Sequence, residues 1–177
     1  MSLLQNQGKL GEAEPLYRTA LAASRRTLGD EHPSTLASIN NLAILLKNQG
    51  KLGEAEPLYR TALAAKRRTL GDEHPSTLRS ISNLANLLAD QGKLGEAEPL
   101  YRTALAAQRR TLGDEHPSTL DTIYNLGLLL WAQGSKAEAL EMLRQELEVR
   151  RRVLGEDHPH TQRSLRAYML YRENENL

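Results

Sequence analysis

The sequence lacks cysteine and phenylalanine altogether, and it has one tryptophan and six tyrosines among its 177 residues. Without cysteine the chain forms no disulfide, holds no thiolate metal site and offers no thiol nucleophile. The longest apolar run, Leu126 to Ala132, is too short to cross a bilayer. The formal net charge is +1 with both signs mixed, so neither a basic nucleic-acid footprint nor an acidic tail is present. These absences predict a soluble, cytoplasmic protein with no membrane contact, no metal and no cofactor.

The chain is instead rich in repetition. Residues 8–49, 50–91 and 92–133 carry nearly the same 42-residue sequence, and a looser fourth copy begins at Gly134. A period of this length is typical of a stacked array of helical units, each of which needs its neighbours to bury its apolar face. We therefore predict a single array over residues 1–177, whose last repeat, 134–159, supplies a second helix only.

Both ends of the chain carry partial repeats. Residues 1–7 align with the end of a first helix, so this helix is expected to be truncated, and the exposed apolar end predicts end-to-end self-association. A capping helix is predicted over about 160–173. Its Leu165, Met169 and Leu170 are expected to face inward, with the arginines outward.

Each copy has the pattern of a helical hairpin. In the middle unit, which runs across the boundary between the first two copies, the apolar residues recur at helical spacing over 34–48 and again over about 53–70. Gly50 is placed to end the first of these helices in the left-handed conformation, and Gly71 to stop the second. Pro75 is expected to occupy the first position of the next helix.

Differences among the three close copies fall mainly on one side of the first helix. Only eight of the 42 positions vary, and one of them is the Ser24/Lys66/Gln108 position in the second helix. The five substantial changes among the other seven lie at positions 37, 40, 44, 47 and 48 and their equivalents. This spacing forms one stripe on an α-helix. A constant frame with one altered face predicts a recognition surface.

The spacing of small and large residues resembles the tetratricopeptide repeat. In the middle unit the matching residues are Leu42, Ala43, Leu46, Ala55, Tyr59 and Ala62. The greater repeat length and the Glu-Ala-Glu-Pro-Leu-Tyr and Leu-Gly-Asp-Glu-His-Pro segments look like the longer form found in kinesin light chains. The resemblance covers residues 3 to about 166 and implies an all-α fold, a right-handed superhelical solenoid of antiparallel helix pairs. The fourth copy departs from the pattern, with Leu140-Glu141-Met142-Leu143 in place of Glu-Pro-Leu-Tyr.

By this resemblance the first helices line a concave groove that binds an extended peptide. The candidate contact residues are Asn40, Asn41, Ile44, Lys47, Arg79, Ser82, Asn83, Asn86, Asp121, Tyr124, Asn125, Leu128, Trp131, Arg163 and Arg166. Asn41, Asn83 and Asn125 never change, and an amide can pair with any peptide backbone, although these amides can equally bond to the next helix. Trp131 and Tyr124 are predicted to lie side by side on an accessible inner face, where large aromatic residues are candidate anchors. Because basic residues outnumber acidic ones here, the predicted partner is an acidic peptide with an apolar or aromatic residue.

The other repeated polar motifs favour structural roles. The histidines at 32, 74, 116 and 158 are too far apart to share one metal ion, and each is expected to support the turn before a proline. The Arg-Arg pairs could follow a phosphate backbone, but each lies near Asp-Glu and no aromatic platform accompanies them. We therefore predict local ion pairing and no nucleic-acid binding. No nucleophile has a base beside it, so we expect no enzyme.

Near-identical copies also fit a second interpretation, in which the array is a spacer or self-assembling scaffold with no dedicated ligand. The unchanged surface lysines at 9, 51 and 93 argue against free drift of exposed positions. The sequence leaves this alternative open.

Overall fold

The computed structural model describes residues 10–174, apart from the side chain of Leu10. Over this range it contains eight α-helices and no strand. They are α1 Leu10–Leu28, α2 Pro33–Asn48, α3 Leu52–Leu70, α4 Pro75–Asp90, α5 Leu94–Leu112, α6 Pro117–Ala132, α7 Lys136–Leu154 and α8 Pro159–Glu173. The truncated helix predicted at residues 1–7 lies outside the described residues.

The turns between helices follow from histidine, proline and glycine. His74 precedes Pro75, the first residue of α4, and its Nδ1 accepts a hydrogen bond from the backbone N–H of Ser76 at 3.1 Å. The same cap recurs before α2, α6 and α8. It satisfies a donor that has no partner inside the helix. Gly71 ends α3 with φ of 87°, in the region that favours glycine. The predicted role of the histidines as turn residues is confirmed.

The helices pack in chain order within two compact units, one ending at Gln91 and the other beginning at Gly92. In the first unit α1 packs on α2, α2 on α3 and α3 on α4. In the second unit α5 packs on α6, α6 on α7 and α7 on α8. The leucine and isoleucine side chains Leu36, Ile39, Leu42 and Leu45 of α2 are almost fully buried, as are the small residues Ala55 and Ala62 of the adjacent helix α3. Burial of a leucine or isoleucine side chain contributes about 1.5–3 kcal/mol.

The end of α8 differs from the sequence-based expectation. Met169 and Leu170 are 43% and 56% exposed, and Leu165 is only half-buried. The buried residues of α8 are Thr161 and Ser164, near its beginning. The prediction that Met169 and Leu170 face inward is therefore wrong, because the burial of α8 against α7 is concentrated in its first turns. No helix among residues 10–174 is long and apolar enough to cross a membrane.

Candidate functional site

In the first unit the predicted contact residues lie on α2 and α4 at or near the surface. Asn41 and Arg79 are exposed. The half-buried members of the set are Asn40, Ile44, Lys47, Ser82, Asn83 and Asn86. The leucines between them are buried, so the stripe of variable residues stands apart from the core.

One of the three unchanged asparagines, Asn83, forms a side-chain hydrogen bond within the protein. Asn83 donates from Nδ2 to Oδ1 of Asn40 at 3.2 Å, which joins α4 to α2. The interpretation in which these amides bond to a neighbouring helix therefore holds for one N–H of Asn83. Asn41 lies exposed one position further along α2.

A charged pair lies at the carboxyl ends of α2 and α4. Lys47 Nζ lies 2.9 Å from Oδ2 of Asp90. The positive charge of Lys47 thus has a carboxylate partner on α4, and it is not a free cation for an acidic ligand. Burial of the nearby Tyr59, together with the charge of Asp90, raises the pKa of Tyr59 to about 12.

In the second unit the aromatic residues are more enclosed than expected. Tyr124 is only 7% exposed, and the guanidinium of Arg163 lies 4.1 Å from its ring centre. Trp131 is half-buried and stacks on Tyr171, with ring centres 4.6 Å apart and an angle of 17°. The expectation that Tyr124 is openly accessible is wrong, because a cation from the next first helix covers it.

A hollow of about 630 Å³ lies between α6 and α8. Its lining residues are Tyr124, Leu128, Pro159, Gln162, Arg163, Arg166, Ala167, Leu170 and Tyr171. Four of the sequence-predicted contact residues, Tyr124, Leu128, Arg163 and Arg166, are brought together here. The wall is mainly apolar, with two guanidinium groups beside it. Burial, and to a smaller extent Tyr124, raises the pKa of Tyr171.

Asp121 and Asn125 lie on α6 outside the hollow's lining. Asp121 is half-buried, and its Oδ1 accepts a hydrogen bond from Nη2 of Arg150 on α7 at 2.7 Å. Asn125 is also half-buried. Arg150 was not among the predicted residues. In the fourth copy it is the equivalent of Ser24, Lys66 and Gln108.

We call Ser24, Lys66, Gln108 and Arg150 the column. Lys66, Gln108 and Arg150 are 6%, 2% and 3% exposed, so three polar or charged side chains are buried at the equivalent place. The sequence did carry a signal, because the column is the one variable position of the three close copies that lies off the first helix.

The arginine pairs are engaged in local ion pairs. Arg67 Nε lies 3.0 Å from Oδ1 of Asp72 in the turn that follows, and Arg109 contacts Asp114 in the same way at 2.9 Å. The second arginine of the pair, Arg68, contacts Glu31 of the preceding turn. The prediction of local ion pairing is confirmed. Among residues 10–174 no group of three or more histidine or acidic side chains is placed to hold a metal ion.

Comparison with known proteins agrees with this helical arrangement. A family model described as a tetratricopeptide repeat matches residues 2–68, 36–101 and 76–152. The chain is a tetratricopeptide repeat protein. The prediction of this family, in its longer kinesin-light-chain-like form, is confirmed, as is the all-α fold of antiparallel helix pairs.

Solved structures of similar tetratricopeptide repeat proteins were found. One is described as a kinesin light chain of Podosopora anserina with nearly identical TPR-like repeats, at 32% identity and a TM-score of 0.85 over 99% of this chain and 83% of that chain. A single-substitution variant of it gives a TM-score of 0.87 at the same identity, over 99% and 82%. BtubC (BKLC) from P. vanneervenii, at 23% identity, shares the fold with a TM-score of 0.85, over 99% and 70%. No curated protein sequence matches the chain. Tetratricopeptide repeats generally mediate protein–protein interactions or scaffolding.

Proposed function

We propose that this tetratricopeptide repeat protein binds an extended peptide of a protein partner on the first helices of its repeats, with no catalytic role. The observation that carries the proposal is the hollow between α6 and α8, because variable residues of the stripe form much of its wall. A volume of about 630 Å³ lies within the range typical of ligand pockets, roughly 300–1,000 Å³.

The chemistry of the hollow favours an apolar or aromatic anchor flanked by an acidic residue. Leu128, Leu170 and Ala167 offer apolar contact to a large side chain. Arg166 is exposed beside them, and Arg163 is exposed over Tyr124. Guanidinium groups bind carboxylates through paired hydrogen bonds, so an acid next to the anchor is the complementary partner. We place this interaction in the cytoplasm, without nucleic acid, membrane or cofactor.

The hollow predicts which of two neighbouring exposed residues matters for binding. Leu170 lines the hollow and Met169 does not, although both are large, apolar and exposed on α8. We expect Leu170→Ala to weaken binding by about tenfold, because truncating an anchor contact costs roughly 1–2 kcal/mol. Fluorescence anisotropy with a labelled peptide that carries one tryptophan flanked by aspartates measures the effect.

Met169→Ala is the matched control and is expected to bind like the unmodified chain. A second pair tests the charge: Arg166→Ala should weaken binding, whereas Arg172→Ala, on α8 but outside the hollow, should not. Equal affinities for Leu170→Ala and Met169→Ala, with no effect of Arg166→Ala, would contradict the proposed site.

The scaffold alternative has one observation in its favour, the exposed apolar residues at the ends of second helices. Leu28 and Leu70 are 47% and 44% exposed in the first unit, and Val153 is 45% exposed in the second. Single exposed apolar residues are common on monomeric proteins, so they do not by themselves define an assembly surface. End-to-end association remains a prediction, and its first-unit contact surface includes residues outside the described range.

A further inference from the structure

The last turns of α8 form part of the wall of the hollow, although none of their side chains is fully buried. Thr161 and Ser164, the buried residues of α8, lie near its beginning, and residues 165–174 are half-buried or exposed. Four residues of these last turns line the hollow: Arg166, Ala167, Leu170 and Tyr171. A segment with few buried contacts moves away from its neighbours more easily than a well-packed one. The width of the hollow therefore depends on what holds the end of α8 to α6.

An aromatic stack holds the end of α8. Trp131, in the last turn of α6, and Tyr171 lie with their ring centres 4.6 Å apart at an angle of 17°. Stacked aromatic pairs attract each other beyond the effect of the surface that they bury. Lys136, at the beginning of α7, lies 5.4 Å from the centre of the Trp131 ring and donates from Nζ to the backbone carbonyl of Asn174 at 3.4 Å. These contacts join the end of α8 to both preceding helices.

The first unit has a link of different chemistry at the equivalent place. Lys47 on α2 corresponds to Trp131 on α6, and Asp90 on α4 corresponds to Asn174 after α8. The side chains of Lys47 and Asp90 form an ion pair at 2.9 Å. In both units, therefore, a contact joins the carboxyl ends of neighbouring first helices. It is made by opposite charges in the first unit and by stacked rings in the second.

Trp131 contacts a residue of the hollow's wall without belonging to that wall. Tyr171 lines the hollow and stacks on Trp131, whereas Trp131 is not among the lining residues. The shortest physical connection between Trp131 and a ligand in the hollow therefore passes through Tyr171. A wall that is held in place before binding costs the ligand less ordering entropy than one that has to be brought into place.

We propose that Trp131 is a positioning residue, whose stack on Tyr171 holds the end of α8 at the distance from α6 that lets the hollow take the apolar anchor of a peptide. The inference rests on the proposed peptide-binding function. It gives Trp131 an indirect role, in place of direct contact with the ligand as an anchor.

The first experiment asks whether Trp131 acts through Tyr171. Trp131→Ala copies the residue at the equivalent place, Ala89, so the fold is expected to be kept. It should weaken binding of the labelled peptide by about threefold to tenfold, the effect of one aromatic pair on an equilibrium. In a chain that already carries Tyr171→Ala, adding Trp131→Ala should cost no more than about twofold, because the stack is already absent. Losses that simply multiply would mean that Trp131 contacts the peptide itself, which overturns the inference.

The second experiment replaces the stack with the ion pair of the first unit. Trp131→Lys alone should weaken binding, and Trp131→Lys combined with Asn174→Asp should recover at least about twofold at low ionic strength. This ratio of the two affinities should fall towards one in about 1 M salt, since exposed ion pairs are screened. Asn174→Asp alone is the control and should not raise the affinity. A double variant that binds no better than Trp131→Lys would contradict a positioning role.

A third measurement needs no peptide, because Trp131 is the only tryptophan of the chain. Tyr171→Ala should move the emission of Trp131 to longer wavelength and increase its quenching by acrylamide, since the stacked ring no longer covers the indole. Tyr168→Ala, on α8 but outside the stack and the hollow's lining, is the control and should change neither quantity. Identical emission and quenching in the unmodified chain and Tyr171→Ala would overturn the stack as the link.

The outcomes separate this inference from the proposed function. If Leu170→Ala weakens peptide binding and Trp131→Ala does not, peptide binding stands and the positioning role is overturned. If the unmodified chain does not bind the peptide, both proposals fail.

Discussion

Glu14 accepts hydrogen bonds from two cations that belong to successive repeats. Arg18, one turn further along α1, donates from Nη2 at 2.9 Å, and Lys51, at the start of the next repeat, donates from Nζ at 2.7 Å. Arg18 also donates to Glu54 at 2.8 Å. The hydrogen bonds that Glu14 accepts, of which the one from Lys51 has the largest effect, lower its pKa from 4.5 to about 2.

The lowered pKa predicts a pH-dependent contribution of Glu14 to stability. Because the ionised form is favoured in the folded state, the contribution is complete above pH 4.5 and is lost as the pH falls through about 2. We expect Glu14→Gln to lower the urea midpoint at neutral pH and to converge with the unmodified chain near pH 2. The difference should shrink in high salt.

Glu173→Gln, an exposed carboxylate at the end of α8, is the control and should leave the midpoint almost unchanged at every pH. A Glu14→Gln difference that stayed constant between neutral pH and pH 2 would show that the effect does not come from the carboxylate charge.

Helix α7 differs from the other second helices in its buried ion pair. Glu146 is fully buried where the close copies have alanine, and Arg150 follows one turn later. Burial raises the pKa of Glu146, against the opposing effect of Arg150 and Ser164. A buried pair of this kind contributes little net stability, but it becomes costly when one partner is removed.

We therefore expect a non-additive pair of substitutions in α7. Arg150→Gln alone leaves the carboxylate of Glu146 buried without its cation and should destabilise the chain by about 3 kcal/mol or more. The double change Glu146→Ala and Arg150→Gln restores the residues of the third repeat, Ala104 and Gln108, and should recover most of this loss. Urea denaturation measures both, and equal destabilisation by the single and double variants would rule out a coupled pair.

At the scale of the whole molecule, the exposed apolar residues bear on whether the chain associates with itself in solution. Those of the described range are Leu16, Leu28 and Leu70 in one unit and Val153, Leu154, Met169 and Leu170 in the other. Stable interfaces need a contiguous surface with a buried core of contacts. A sedimentation coefficient that does not change with protein concentration is the outcome that favours the proposed peptide-binding function. Growth that depends on concentration would instead support the scaffold alternative.

Local patterns predicted the helices closely. The helix expected over 34–48 runs from Pro33 to Asn48, and the one expected over 53–70 runs from Leu52 to Leu70. The His-Pro and glycine turns act within a few residues, so their outcome can be read from short segments. In the first unit the position of the variable stripe at or near the surface was predictable for the same reason, since helical periodicity alone separates it from the leucine face.

The candidate site was less predictable because its contacts join distant residues. Tyr124 was expected to be open, but Arg163, from the next first helix, covers its ring. Met169 and Leu170 were expected to face inward, but the fully buried residues of α8, Thr161 and Ser164, lie near its beginning. Neither the covering cation nor the length of the covered face follows from periodicity in one helix.

Repeat period, helix bounds, caps and family were thus all contained in the amino-acid order, because each depends on spacing along a short stretch of chain. The pairing of Asp121 with Arg150, 29 residues away, and of Lys66 with Ser80, 14 residues away, arose only when helices packed side by side. At the same repeat position, packing placed Arg150 against two carboxylates in one unit and Lys66 against the hydroxyl of Ser80 in the other. Side-chain partners across helices depend on three-dimensional approach, which similar repeat sequences do not reveal.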